Sequence, residues 1–201
     1  MFDLPADLPA DLVPLSWLIG VWEGTGVIDY RVGETRYAGE FAHRVSFSHD
    51  GGSYLNYSAN AWLAGADGAQ GTPLVAETGF WRLVRTATDA DPGPGLLPPL
   101  VPPASRTADD VEHLRGADGA FEVEAALVHS DGISEVYLGH VRGPRIDITT
   151  DFVVRTAGAK EYAAASRMYG LVEGHLLWAW DIAALGRELG SHASARLARA
   201  D

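Results

Sequence analysis

The side chains best placed to hold a metal or move a proton near neutral pH are seven histidines. One of them, His192, stands in "ELGSHASARLARAD", flanked by small residues just before the last short stretch of the chain. It reads either as a polar residue on a loop or as a ligand held over a cavity. His43 and His49 share a face only if one strand continues that far. His129 opens the turn "HSDG", His140 and His175 lie on or beside strands, and His113 follows a proline-rich stretch. No pair has the H-E-x-x-H or H-x-H spacing of a zinc site built within one segment, and there is no cysteine. No G-x-S-x-G elbow supports a serine hydrolase. Glu122 and Glu124, like Asp147 and Asp151, are evenly spaced along strand patterns and read as a solvated outer face.

The elements that must position these groups are strands. Short alternating β-rich runs recur roughly every eight to twelve positions, separated by turn residues. "GVWEGTGVIDYRV" turns Glu23 and Thr25 outward. "EFAHRVSFSHDGGSYLNYSANAWL" reads as two strands joined at an Asp-Gly turn, and "HSDGIS", "VRGPRI" and "LVEGHL" are further turns. Helical periodicity is poor except in "PADLVPLSWLIG" and in the last dozen residues, either of which could form short helical turns. Antiparallel strands without crossover helices imply an up-and-down meander, and closure into a barrel removes its exposed edges. The expected fold is therefore all-β: one antiparallel barrel of about ten strands with a short N-terminal helical cap. Trp178 and Trp180, two apart, share a strand face, as core packing or as the wall of a pocket. The whole chain, 1–201, reads as one domain interrupted at about 88–108 by a segment with six prolines, expected to be extended and mobile. Its "LLPPLV" core could dock on the barrel or on a neighbouring subunit.

Composition narrows the partners. The net charge of −12 disfavours binding of a phosphate backbone, so no nucleic acid is expected. No apolar run reaches the 18 or so residues of a membrane span, and the N-terminus lacks a basic signal-peptide region. A cytoplasmic setting is the default expectation, in weak accord with the absence of cysteine. No phosphate-cradling glycine loop follows a strand. "GVWEGTG" has a tryptophan in its middle and no helix after it.

That last segment belongs to an ordered series of motifs. Gly20, Trp22, Gly24 and Gly26 form GxWxGxG, followed by "VSFSHDGGSYLNYSANAW", "ETGFWRL", "VHSDGISEVYLGHV" and "YGLVEGHLLWAWDIAALGRELGSHASARL". The series resembles the nitrobindin family, small ten-stranded barrels similar in shape to fatty-acid-binding proteins and lipocalins. The resemblance covers nearly the whole chain. It is nearest to the actinobacterial ferric nitrobindin-like branch, many of whose members lack the axial histidine. The resemblance implies one ferric haem b per chain in the mouth of the barrel, with His192 as the axial iron ligand, before a closing strand. It implies reaction with nitric oxide and isomerisation of peroxynitrite to nitrate, the iron carrying the chemistry with no other catalytic residue. Gly20, Gly24 and Gly26 would shape the first strand, and Trp22 would plug the closed end. Two departures stand out: Ile28 replaces a third glycine of the family pattern, and Arg31-Val32 replace Pro-Thr. Val32, beside the expected haem site, thus lacks a hydroxyl. The alternatives are a haem-free barrel that binds a hydrophobic, fatty-acid-like molecule and a barrel with no catalytic role. A homodimer is compatible with any of these.

Overall fold

Strict alternation of buried and exposed residues sets the architecture. In the computed structural model, which describes residues 7–65, 70–103 and 105–200, nearly every strand shows this period of two. The strands are β1 (Gly20–Val32), β2 (Thr35–Ser48), β3 (Leu55–Ala64), β4 (Gln70–Leu83), β5 (Phe121–His129), β6 (Ile133–Arg142), β7 (Arg145–Arg155), β8 (Tyr162–Val172), β9 (His175–Ala184) and β10 (Gly190–Arg199). Each pairs antiparallel with its sequence neighbours, and β10 pairs with β1, so the ten strands close a barrel. Closure leaves no edge strand unpaired.

The two ends of the barrel differ. A 3-10 helix (Ala10–Leu18) covers one of them, its Leu12, Leu15 and Leu18 fully buried. Trp22, at the start of β1, lies beneath it and donates its indole N–H to the carbonyl of Leu18 at 2.7 Å. Asp11 ties the cap down on two sides, accepting from Ser53 at 3.2 Å and from Arg106 at 2.7 Å. The opposite end carries the hairpins β1–β2, β3–β4, β5–β6, β7–β8 and β9–β10. No described helix lies over it.

Where β1 meets β10 the backbones approach closely. A Cβ on Gly24 would lie 2.3 Å from the Arg196 carbonyl oxygen, and one on Gly26 would lie 2.4 Å from that of Ser194. Only glycine fits at either position, so these two residues fix the seam on which His192 sits. Among the described residues no helix is long and apolar enough to cross a membrane.

Two expectations need correction. Of the last dozen residues, Gly190–Arg199 form the strand β10 and not helical turns. The alanines of "SHASARLARA" favour a helix locally, but pairing with β1 on one side and β9 on the other overrides that preference. The proline-rich stretch is also not simply extended, because hydrogen bonds fold it back on itself. Arg85 grips Asp91 with both guanidinium nitrogens, Asp91 caps the Thr88 backbone N–H at 2.7 Å, and Leu100 and Val101 donate to the Asp89 carbonyl. Its return limb runs into a helix absent from the sequence reading, α1 (Ala108–Glu112), which opens on a capping box between Thr107 and Asp110. The apolar tip does not dock on the barrel: Leu96, Leu97 and Leu100 are exposed, Leu96 completely.

Candidate haem site at the open mouth

His192 sits at an irregularity in β10. Ser191 pairs with Asp181 of β9 and Ala193 with Trp180, so one extra residue is inserted between them. The parity of the buried Ala195 and Leu197 would turn position 192 outward in a regular ladder. The bulge re-aims it. The imidazole turns against two aromatic rings, Tyr30 of β1 at 4.5 Å between centroids and Trp180 of β9 at 5.5 Å, the latter edge to face at 86°. Tyr30 stacks in turn on its cross-strand partner Tyr37 at 5.1 Å.

Burial lowers the His192 pKa to about 4, so the ring is neutral near pH 7. Its Nδ1 is shielded from solvent and has no hydrogen-bond partner. A neutral, half-buried imidazole between aromatic walls at a barrel mouth has the chemistry of a ligand to haem iron. The residues present therefore fit that group.

Beneath this level the interior is polar and ionic. Arg167 of β8, wholly buried, donates to both Glu77 oxygens of β4 at 2.7 and 2.8 Å and to the Tyr137 hydroxyl of β6 at 2.9 Å. Glu135 of β6 accepts from Tyr137 at 2.8 Å and lies 2.6 Å from His129 Nε2. Tyr57 donates to Glu77 at 2.5 Å. Burial alone would raise the Glu77 pKa, but the Arg167 charge and its hydrogen bonds outweigh that and hold it at about 2. The guanidinium lies 4.6 Å from the Trp180 ring centroid, so the ionic cluster touches the wall of the histidine site.

The other candidate residues separate by depth. Val32 lies on the inward row of β1 with Trp22, Ile28 and Tyr30, at the rim and only partly buried. Tyr30, between Ile28 and Val32 on that row, is the β1 residue that touches the histidine ring. Trp22, Gly24 and Gly26 run along the same strand from the capped end upward. His43 is buried 4.7 Å from Trp178; its Nδ1 lies 3.0 Å from the Asn60 carbonyl and its Nε2 has no partner. His113 and His140 are exposed; His49, in the β2–β3 turn, is half-buried with an unpartnered Nδ1, and the half-buried His175 lies 3.0 Å from the Glu173 carbonyl through its Nδ1. Among the described residues no three His, Asp or Glu side chains are grouped to hold a bare metal ion. The sequence reading missed Tyr30 and the Arg167–Glu77–Glu135–His129 cluster. Parity held a clue, because Arg167 shares its face of β8 with the buried Ala165 and Tyr169.

The fold and site define a class: a closed antiparallel barrel with one neutral histidine turned into its open mouth. Residues 11–199 match the profile of the THAP4-like, heme-binding beta-barrel domain, and the chain belongs to that family. It is 61% identical over 201 residues, the full length of both chains, to a protein of Leifsonia xyli subsp. xyli (strain CTCB07) named peroxynitrite isomerase. A protein of the same name from Clavibacter michiganensis subsp. michiganensis (strain NCPPB 382) is 59% identical over the full length of both. Among solved structures, Rv2717c from M. tuberculosis superposes with a TM-score of 0.66 at 26% identity, covering 99% of this chain and all of that one.

Proposed function

We propose that this chain binds one ferric haem b in the open mouth of the barrel, with His192 as the axial iron ligand, and that the loaded protein isomerises peroxynitrite to nitrate. The observation that carries this reading is His192 itself, re-aimed inward by a bulge and neutral through burial. The names of the full-length relatives support the reaction. When bound, ferric haem supplies a Lewis-acidic iron at which peroxynitrite or nitric oxide can react.

The chain's own part is positional. His192 offers an imidazole that protons do not compete for until the pH falls near 4. Tyr30 and Trp180 pack against the ring, and its Nδ1 is shielded from solvent. Val32, at the rim of the same wall, offers packing and no hydroxyl. The middle of the barrel is taken by an ionic cluster that an alkyl chain running along the barrel would have to displace, so the fatty-acid reading gains no support from the interior. We extend the proposal to a single domain over 1–201 in the cytoplasm. A homodimer is compatible with the exposed Leu96, Leu97 and Leu100 and can be read by sedimentation.

A hemin titration of the apo protein, followed at the Soret band beside His192→Ala, tests this. Saturation at one haem per chain, lost in a variant that keeps the β-sheet circular dichroism of the parent, is the expected result. Tight binding retained in His192→Ala with an unchanged spectrum overturns the ligand assignment.

A further inference from the structure

An iron-ligating histidine is ordinarily oriented through its second nitrogen, which donates to a carboxylate or a backbone carbonyl. His192 lacks that restraint, because Nδ1 is buried without a partner. Its orientation therefore has another source. On one side lies Tyr30, itself stacked on Tyr37, and on the other lies Trp180. Trp180 makes no hydrogen bond through its indole nitrogen either. The rings of Trp178, His129 and Tyr162 pack around it at 5.9, 6.1 and 6.4 Å between centroids, and closer than these lies the Arg167 guanidinium, 4.6 Å from the ring centroid.

Arg167 is held by many partners. It is held bidentately by Glu77, donates to the Tyr137 hydroxyl, and lies 5.1 Å from the Tyr137 ring and 3.4 Å from Glu135. A fully buried ionic cluster is an expensive way to stabilise a barrel, since well-packed apolar side chains do at least as well. Its cost makes sense if the fixed, planar cation has a further task. We propose that Arg167 is a positioning residue for the haem site: it locks Trp180, and Trp180 with Tyr30 forms an aromatic clamp that orients His192 in place of the usual hydrogen bond. The inference rests on the haem reading above and extends it to residues two contacts from the iron ligand.

Lysine cannot replace arginine here, because an ammonium offers neither the planar stack nor the two-pronged grip on Glu77. Three variants separate the clamp from simple support of the fold. Trp180→Leu leaves every hydrogen bond of the ionic cluster intact and cuts its link to His192. Arg167→Met combined with Glu77→Gln removes the cation together with the charge of its principal partner. Arg167→Lys keeps the charge without the plane.

The measurements are the hemin dissociation rate, the ferric Soret position, and, in the apo protein, the ring-current shifts of the His192 imidazole protons by NMR. All three variants are expected to move the imidazole resonances toward ordinary values and to raise the dissociation rate about tenfold, the usual size of an effect on a ligand-orienting partner. The same substitutions in a His192→Ala background are expected to leave the residual hemin dissociation rate unchanged. Equal effects in both backgrounds, or unshifted His192 resonances in Trp180→Leu, would show that these residues only support the fold, with the ligand assignment intact. Hemin binding indifferent to His192→Ala would overturn the assignment and the clamp with it. A variant too unstable to purify leaves Trp180→Leu, which removes no buried charge and no hydrogen bond, to decide.

Discussion

Two tryptophans show how differently the ends of one barrel are built. Trp22, at the capped end, gives its indole N–H to Leu18 and lies under three fully buried leucines. Trp180, below the open mouth, has no partner for its N–H and faces a histidine with an unpartnered nitrogen. Each also has a guanidinium over its ring, Arg199 at 5.7 Å for Trp22 and Arg167 at 4.6 Å for Trp180. Trp22 is thus satisfied by the chain itself, whereas the neighbouring rings of Trp180 and His192 each keep an unpartnered nitrogen, a cost that agrees with the proposed reception of a ligand at the mouth.

The sharpest way to probe this contrast is to unbalance the ionic floor of the mouth. Glu77→Leu leaves Arg167 buried without its main counter-ion and is expected to cost about 3–5 kcal/mol in urea denaturation, far more than an exposed pair such as Asp29–Arg36 would. At the other end, Leu18→Ala opens a cavity under the cap and is expected to cost about 2–5 kcal/mol while leaving hemin affinity unchanged. A loss of affinity on that substitution would show the two ends to be coupled.

Acid probes the mouth more gently. The folded-state pKa of His192, about 4, lies below its ordinary value of 6.5, so the unfolded chain takes up this proton first. Stability from this site should thus be undiminished above pH 6.5 and fall as the pH drops toward 4. His192→Gln should flatten that part of the urea-midpoint profile. Below it, from about pH 4.5 to 2, protonation of Glu77 should bring a second loss that His192→Gln does not alter. The smallest effect is expected at the insertion, where Leu96 is fully exposed at a positive φ of 69°. Leu96→Gly relieves that backbone and should raise the thermal midpoint slightly, by no more than about 1 kcal/mol in stability.

Much of the fold was legible because its signals are local. The bounds of β1 follow from "GVWEGTGVIDYRV", and the Asp-Gly pairs mark their turns directly. The site was legible only in part. The motif series led to His192, but its inward aim depends on a one-residue bulge against β9, which the sequence around it does not announce. The ionic cluster was hidden for a different reason. Arg167, Glu77, Glu135 and His129 come from four strands, and each alone reads as a solvated residue. Only the barrel's closure brings them together, and only their mutual pairing makes burial tolerable. The helix α1 escaped notice because its five residues are too few for a periodic pattern.

The seam between β1 and β10 has a consequence in time. Trp22 pairs with Arg199 and Ile28 with Ala193, residues from nearly opposite ends of the chain. Contacts of such sequence separation carry a high entropic cost and form late. Tyr30 and His192 stand on the two sides of that seam, so the clamp comes into being only when the last strand docks. A growing chain emerging from the ribosome has no such site to offer. Cofactor capture is thus an event of the finished barrel, and a bound porphyrin would act as a latch across the strand pair that closes it.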